Sequence, residues 1–251
     1  MGTANVLEAS RHTPSVRAVV VVTSDKCYEN KEWEWGYRET DHLGGYDPYS
    51  ASKAGAELVT ASYRKGFFCG RGPLLASARA GNVIGGGDWS ENRLIPDLVR
   101  CLSKNISLEI RSPSAIRPWQ HVLESLSGYL LLGQKLLEGD RMAAEPWNFG
   151  PRFEGNKSVS EVLECFKKHW VTLNWHTVRD LELHEAKLLS LDSSKSQNRL
   201  RWLPVWNFDT AIEKAARWYS HWLESGKVIS HEQLTDYINE AIRVNCEWAK
   251  E

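Results

Sequence analysis

Ala18-Val-Val-Val-Val-Thr-Ser-Asp-Lys26, followed further on by Tyr49-Ser-Ala-Ser-Lys53, is the stretch from which the fold can be read. The run from Ala18 to Val22 is apolar, β-branched and without alternation, the pattern of a strand buried on both faces of a parallel sheet. In an open α/β sheet the carboxyl ends of such strands face the ligand crevice, so Thr23, Ser24, Asp25 and Lys26 fall where chemistry is expected. Tyr49 and Lys53 stand four apart at the start of a helical pattern, on one face, with Cβ atoms about 5–6 Å from each other. An ammonium that close favours phenolate over phenol, which suits Tyr49 to act as a base near neutral pH. A hydroxyl at Thr23 or Ser24, the Asp25–Lys26 acid/base pair and the Tyr49–Lys53 couple together make an alcohol-oxidising site.

Working outward, residues 2–10 read as a short helix ahead of the strand. The long segment from Cys27 to Asp47 is rich in Trp, Tyr, Gly and charge, and a loop of about 20 residues in a compact domain is usually functional. Pro48 opens the helix that carries Tyr49 and Lys53, and Gly66 stops it. Leu74 to Ala78 is a second buried strand, leading into Ala80-Gly-Asn-Val-Ile-Gly-Gly-Gly-Asp-Trp89. That glycine cluster is read as a flexible turn, because a phosphate cradle needs G-x-G-x-x-G directly before a helix and the next helix starts only near Leu94. No G-x-G-x-x-G occurs in the 251 residues. Later elements include a capping box at Ser158-Val-Ser-Glu161, a strand at Leu188 to Asp192, and a helix headed by Asp209 and stopped by Gly226.

Composition narrows the function classes. A formal net charge of -1 argues against nucleic acid or an anionic membrane as partner. Five scattered cysteines (Cys27, Cys69, Cys101, Cys165, Cys246) without a C-x-x-C pair fit a reducing cytoplasm better than a disulfide frame or a metal site. No apolar run approaches the roughly 20 residues of a membrane helix. Most of the twelve tryptophans are expected in cores, while Trp33, Trp35, Trp89 and Trp119 fall in loops near the candidate site.

These residues, taken in order with Ile116-Arg-Pro-Trp-Gln-His-Val-Leu123 and Trp147-Asn-Phe-Gly-Pro151, resemble the extended short-chain dehydrogenase/reductase superfamily. Within it they are most similar to the sugar-nucleotide 4,6-dehydratase branch that acts on CDP-glucose. Tyr-x-x-x-Lys alone is weak; the Gly-Asn-Val-Ile-Gly-Gly-Gly-Asp-Trp and Arg-Pro-Trp-Gln-His-Val segments are specific. The resemblance implies an α/β fold: the C-terminal part of a doubly wound, Rossmann-type parallel sheet (residues 1–84, with a return segment near 118–150) plus a smaller mixed α/β substrate-binding domain, mainly 85–251. Family members begin with a glycine-rich turn that holds NAD. At roughly 30 residues per βαβ unit, about 100 residues have no counterpart here. The chain therefore reads as the carboxyl-terminal part of such an enzyme, with little or no NAD binding expected of it alone and the 18–23 strand left as an exposed apolar edge.

The resemblance further implies the roles. Tyr49 takes the sugar C4 hydroxyl proton, with NAD as an internally recycled hydride carrier contacted by Thr23, Tyr49 and Lys53. Ser24 orients the C4 oxygen, and Asp25 is the acid for the departing C6 hydroxyl. Lys26 stands where related dehydratases have glutamate, which leaves the C5 base open. Asn82, Arg93, Arg117 and His121 are expected to hold the nucleotide-sugar, and helices 2–10 and 49–65 to form a homodimer. Two alternatives stand beside this reading: an inactive remnant serving as a binding or dimerisation module, and a nucleotide-sugar epimerase, which needs no Asp25–Lys26 pair.

Overall fold

The computed structural model describes residues 1–70, 72–178 and 186–249. The chain runs α1 (Gly2–Arg11), β1 (Ala18–Val22), α2 (Pro48–Gly66), β2 (Leu74–Ala80), β3 (Asn82–Ile84), α3 (Leu94–Lys104), β4 (Leu108–Ile110), β5 (Ile116–His121) and α4 (Val122–Leu137). It continues through β6 (Pro146–Phe149), β7 (Asn156–Ser158), α5 (Val159–Lys167), β8 (Trp175–Thr177), α6 (Phe208–Ser225) and α7 (Ser230–Arg243).

One sheet is wholly parallel, ordered β1-β2-β6, with Ala18 beside Leu74 and Ala78 beside Trp147. Side chains alternate across a strand, and here each face feeds a helix layer. Val19, Val21 and Leu75 meet Leu7, Val59 and Phe68 on the α1–α2 side. Ala18, Val20, Ala76 and Ala78 meet Leu131, Leu132, Trp147 and Phe149 on the α4 side. Both faces of the Ala18–Val22 run pack against helices, which fits its lack of polar residues, yet as the outer strand it is only half-buried and Val22 is 49% exposed, short of the fully buried strand the sequence suggests. Among the described residues β1 pairs with β2 alone.

A second body is mixed. β5 lies between parallel β3 and antiparallel β7, β4 pairs with β8, and α3, α5 and α6 close over them around Leu98, Leu163, Phe166, Ile212 and Tyr219. The 28–43 loop has its own small core, with Tyr28, Trp33 and Tyr37 stacked against Leu189 and Leu191.

Three expectations change. Trp119 lies not in a loop but buried on β5. Leu188 to Asp192 does not form a strand; it makes single bridges from Leu188 to Ile116 and from Leu191 to Tyr37, because each partner is itself at the end of an element or in a loop. The Gly85-Gly86-Gly87 turn is packed rather than open. A Cβ on Gly86 would fall 1.9 Å from the Trp218 ring, and one on Gly85 2.8 Å from Val122. Close approach of α6 and α4 demands glycine at 85 and 86, while at Gly87 it is the positive φ of 83°.

Candidate active site

The site grows from the carboxyl end of β1. Once the chain passes Val22 it turns through a short 3-10 segment, Asp25–Cys27, started by Ser24 in extended conformation. The Ser24 hydroxyl accepts from the Lys26 amide at 3.2 Å and donates to Asp25 Oδ1 at 2.9 Å. Asp25 is 2% exposed, and its Oδ2 has no protein partner. Burial pushes its carboxyl above the usual range, outweighing the Ser24 hydrogen bond and the charges of Lys26 and Arg117. A carboxyl held this way is disposed to carry a proton and give it up.

Across from it, α2 begins at Pro48, where a missing N–H is harmless. Asp47 caps the helix, its carboxylate accepting from the Ser50 amide at 2.9 Å and the Ser50 hydroxyl at 2.5 Å. This start places Tyr49 in the first turn with its ring half exposed, and brings Lys53 Nζ 5.7 Å from the ring centroid. The two are stacked on one stripe of the helix, as their spacing predicts.

Between these elements and the second body lies a cleft of about 1250 Å³. Thr23, Ser24, Asp25, Lys26, Tyr49, Asn82, Arg93 and Arg117 all line it. Arg93 is exposed at the start of α3, and Asn82 is half-buried on β3. Arg117 is buried, and its guanidinium donates to the carbonyls of Ile116 (2.8 Å) and Ala186 (2.6 Å). Lys53 lies behind Tyr49 rather than in the cleft lining.

His121 is not brought to the cleft. It is 2% exposed, caps α4 by accepting from the Leu123 amide at 3.3 Å, and rests edge-on against Trp206. Burial, with Lys214 nearby, pushes its ring down to about 3, so it is neutral. Thr23 is also committed: its hydroxyl donates to Glu57 at 2.5 Å.

Some cleft and support residues escape the sequence reading. Glu109 and Arg111 on and after β4, and Tyr129 on α4, line the cavity. Glu57 and Arg79 form a buried ion pair at 2.8 Å directly behind it. Two signals pointed to that pair. Glu57 continues the Tyr49–Lys53 spacing by one more turn, and Arg79 is a lone charge in an otherwise buried strand.

The family model for GDP-mannose 4,6 dehydratase matches residues 1–215. The chain belongs to the GDP-mannose 4,6-dehydratase family. Among curated members of that broad family, CDP-glucose 4,6-dehydratase of Salmonella typhimurium is 43% identical, the match covering 97% of this chain and 70% of that enzyme. A dTDP-glucose 4,6-dehydratase of Streptomyces antibioticus is 26% identical over 87% of this chain and 62% of its own length. Among solved structures, dTDP-glucose 4,6-dehydratase from Bacillus anthracis in complex with NAD superposes with a TM-score of 0.74 at 21% identity, covering 89% of this chain and 68% of that one. UDP-glucuronic acid 4-epimerase from Bacillus cereus, in complex with UDP-glucuronic acid and NAD, gives 0.75 at 17%, covering 87% and 66%. The likeness to these structures carries the Rossmann-type architecture of the 4,6-dehydratase family onto the parallel sheet described above.

The residues present fit one end of NAD. The half-exposed Tyr49 offers a hydroxyl at the cleft, Lys53 an ammonium beside its ring, donors of the kind a ribose takes, and Val22 and Tyr129 give the cleft apolar walls. The Gly85-Gly86-Gly87 turn offers no cradle for the pyrophosphate, since the space above Gly86 is filled by Trp218.

Proposed function

We propose that the chain carries the site of a CDP-glucose 4,6-dehydratase, converting CDP-glucose to CDP-4-keto-6-deoxyglucose with loss of water. The observation that carries this reading is one cleft lined by a tyrosine hydroxyl, a buried carboxyl with an unpartnered oxygen, and a lysine, at Tyr49, Asp25 and Lys26. An epimerase needs the first of these only; an elimination needs all three. The 43% identity to the Salmonella enzyme supports cytidine as the nucleotide.

Tyr49 takes the proton from the C4 hydroxyl, which Ser24 holds by hydrogen bond, and Lys53 stabilises the phenolate. Tyr49 and Lys53 would hold the nicotinamide end of NAD, which would supply an acceptor for the C4 hydride and return that hydride to C6. The C4 ketone acidifies the C5 proton, which Lys26 can take only as the neutral amine and which is given back to C5 when C6 receives hydride, while Asp25 delivers its proton to the C6 hydroxyl as it leaves. Arg93 and Asn82 meet the diphosphate, a guanidinium being suited to paired phosphate oxygens. Arg117 adds positive charge beneath them, and His121 serves by capping α4.

This reading extends to the whole molecule. Residues 1–84 with 118–150 form the cofactor-side domain and the rest mainly the substrate side. The chain acts as a homodimer through 2–10 and 49–65, in the cytoplasm, on a route to deoxysugars. No helix among the described residues is long and apolar enough to cross a membrane.

The test is incubation of the chain with CDP-glucose and NAD in excess, followed by mass spectrometry. The expected product is lighter by one water and is reducible by borohydride, and Tyr49→Phe forms none. Equal handling of UDP-glucose and dTDP-glucose would remove the cytidine assignment. Interconversion of C4 epimers without loss of water would favour the epimerase instead.

A further inference from the structure

Behind the cleft, three donors converge on the carboxylate of Glu57. The Thr23 hydroxyl reaches Oε1 at 2.5 Å, and the Ser77 hydroxyl and Arg79 Nη2 reach Oε2 at 2.7 and 2.8 Å. Glu57 and Arg79 are 3% and 2% exposed. Burial pushes the Glu57 carboxyl up, and its bonds to Arg79 and the two hydroxyls more than reverse this, holding it below the usual range. Arg79 also donates through Nη1 to the Tyr28 hydroxyl at 2.7 Å and the Glu39 carbonyl at 3.3 Å. Tyr28 in turn donates to Asn148 of β6 at 2.7 Å.

Stability alone does not account for a charge pair here, because replacing a buried pair with apolar groups of similar volume is often neutral or stabilising. Its geometry suggests another task. Tyr49, Lys53 and Glu57 follow one another at single-turn spacing on one stripe of α2. Thr23 directly precedes Ser24 and Asp25. The loop joining the two halves of the site is tied at Tyr28 and Glu39 to the same guanidinium.

We propose that Glu57, working through Thr23 and Arg79, is the positioning residue of the site: its carboxylate sets how far along, and at what rotation, the Tyr49–Lys53 helix sits against Ser24 and Asp25. Thr23 then acts by gripping Glu57 rather than by touching cofactor. The inference builds on the dehydratase reading, which requires Tyr49 and Ser24 to meet one sugar oxygen, and misplacement of reacting groups by about 1 Å costs roughly a hundredfold in rate.

The experiment compares Thr23→Val, which keeps the shape and deletes one grip, with Thr23→Ser, which restores the hydroxyl. The double variant Glu57→Leu/Arg79→Met removes the pair as a unit. Each chain is assayed for kcat and KM with CDP-glucose and excess NAD, and for amide hydrogen exchange by mass spectrometry. Thr23→Val is expected to lose roughly tenfold or more in kcat with KM changed by less than about threefold. Exchange should quicken at residues 23–28 and 47–55 and nowhere else, and Thr23→Ser should match the wild type. Unchanged kcat and exchange in Thr23→Val, or faster exchange spread evenly along the chain, overturns the proposal. Should the double variant fail to fold, Thr23→Val decides. Should the wild-type chain turn nothing over, the dehydratase reading falls and the exchange pattern alone decides the positioning role.

Discussion

Glu124, in the first turn of α4, is 0% exposed and accepts from the amides of Val205 and Trp206 and from the Tyr237 hydroxyl. Burial pushes its carboxyl up to about 7 from 4.5 despite these donors. The folded chain therefore holds a proton that the unfolded chain releases, so the stability this group contributes is full below about pH 4.5 and is lost as pH rises through about 7. His121 has the opposite sign: pushed down to about 3, it contributes stability above pH 6.5 that is lost as pH falls. Between the two ordinary values the slopes cancel. Glu124→Gln should unmask the histidine, giving stability that rises with pH by about 1.4 kcal/mol per unit between roughly 4.5 and 6.5. The variant should cost roughly 2–3 kcal/mol more at pH 5 than at pH 8. Urea unfolding at several pH values measures this, and an equal cost throughout would refute it. None of it was legible beforehand, since a glutamate in a helix's first turn ordinarily reads as solvated. Asp25, Lys26 and Tyr49 were legible because their place follows from strand order and helical spacing, both local. The commitments of Thr23 and His121 were not, because their partners, Glu57 and Trp206, are distant in sequence.

Elements announce themselves where their ends are chemical. Pro48, the Ser158–Glu161 capping box and Gly226, left-handed at φ 69°, each marked a helix end that the structure repeats. Elements defined by what packs on them are silent in the sequence. The Gly85–Gly87 turn looks like a hinge until Trp218 of α6 is laid against it, and residues 188–192 look like a strand until their single bridges are counted. The distinction has a measurable consequence. Gly86→Ala would drive a Cβ into the Trp218 ring and should destabilise by roughly 3 kcal/mol or more, above the usual overpacking cost because ring and backbone both resist. Gly66→Ala, at the end of α2 with nothing within 4 Å, should change stability by less than about 0.5 kcal/mol. Thermal unfolding of the two variants separates packing from loop freedom; similar midpoints would mean that α6 moves aside at little cost.

At the scale of the molecule, two apolar surfaces stand on opposite faces of the β1-β2-β6 sheet. On one, α1 and α2 lie side by side over Leu7 and turn Val6 and Leu58 outward, each about 60% exposed. On the other, Val20 at the open strand edge joins Tyr129, Leu130, Gly133 and Leu137 of α4 in a groove. Either could drive self-association: the first by helix packing, the second by edge pairing of β1, whose unpaired N–H and C=O groups are a template for another strand. The first surface is the one on which a homodimer is proposed above. α2 alone, at 19 residues, is about 28 Å long, and with α1 it offers enough area to approach the roughly 800 Å² per partner of a standard interface. Leu58→Asp places a charge at its centre, where an unpaired buried carboxylate is costly. Light scattering behind gel filtration should therefore give twice the chain mass for the wild type and for Leu130→Asp, and the single-chain mass for Leu58→Asp. A dimer that survives Leu58→Asp and is dispersed by Leu130→Asp would move the interface to the strand edge. In that case the open side of β1, next to the cleft walls Val22 and Tyr129, would be covered by a second copy, and site and assembly would share a boundary.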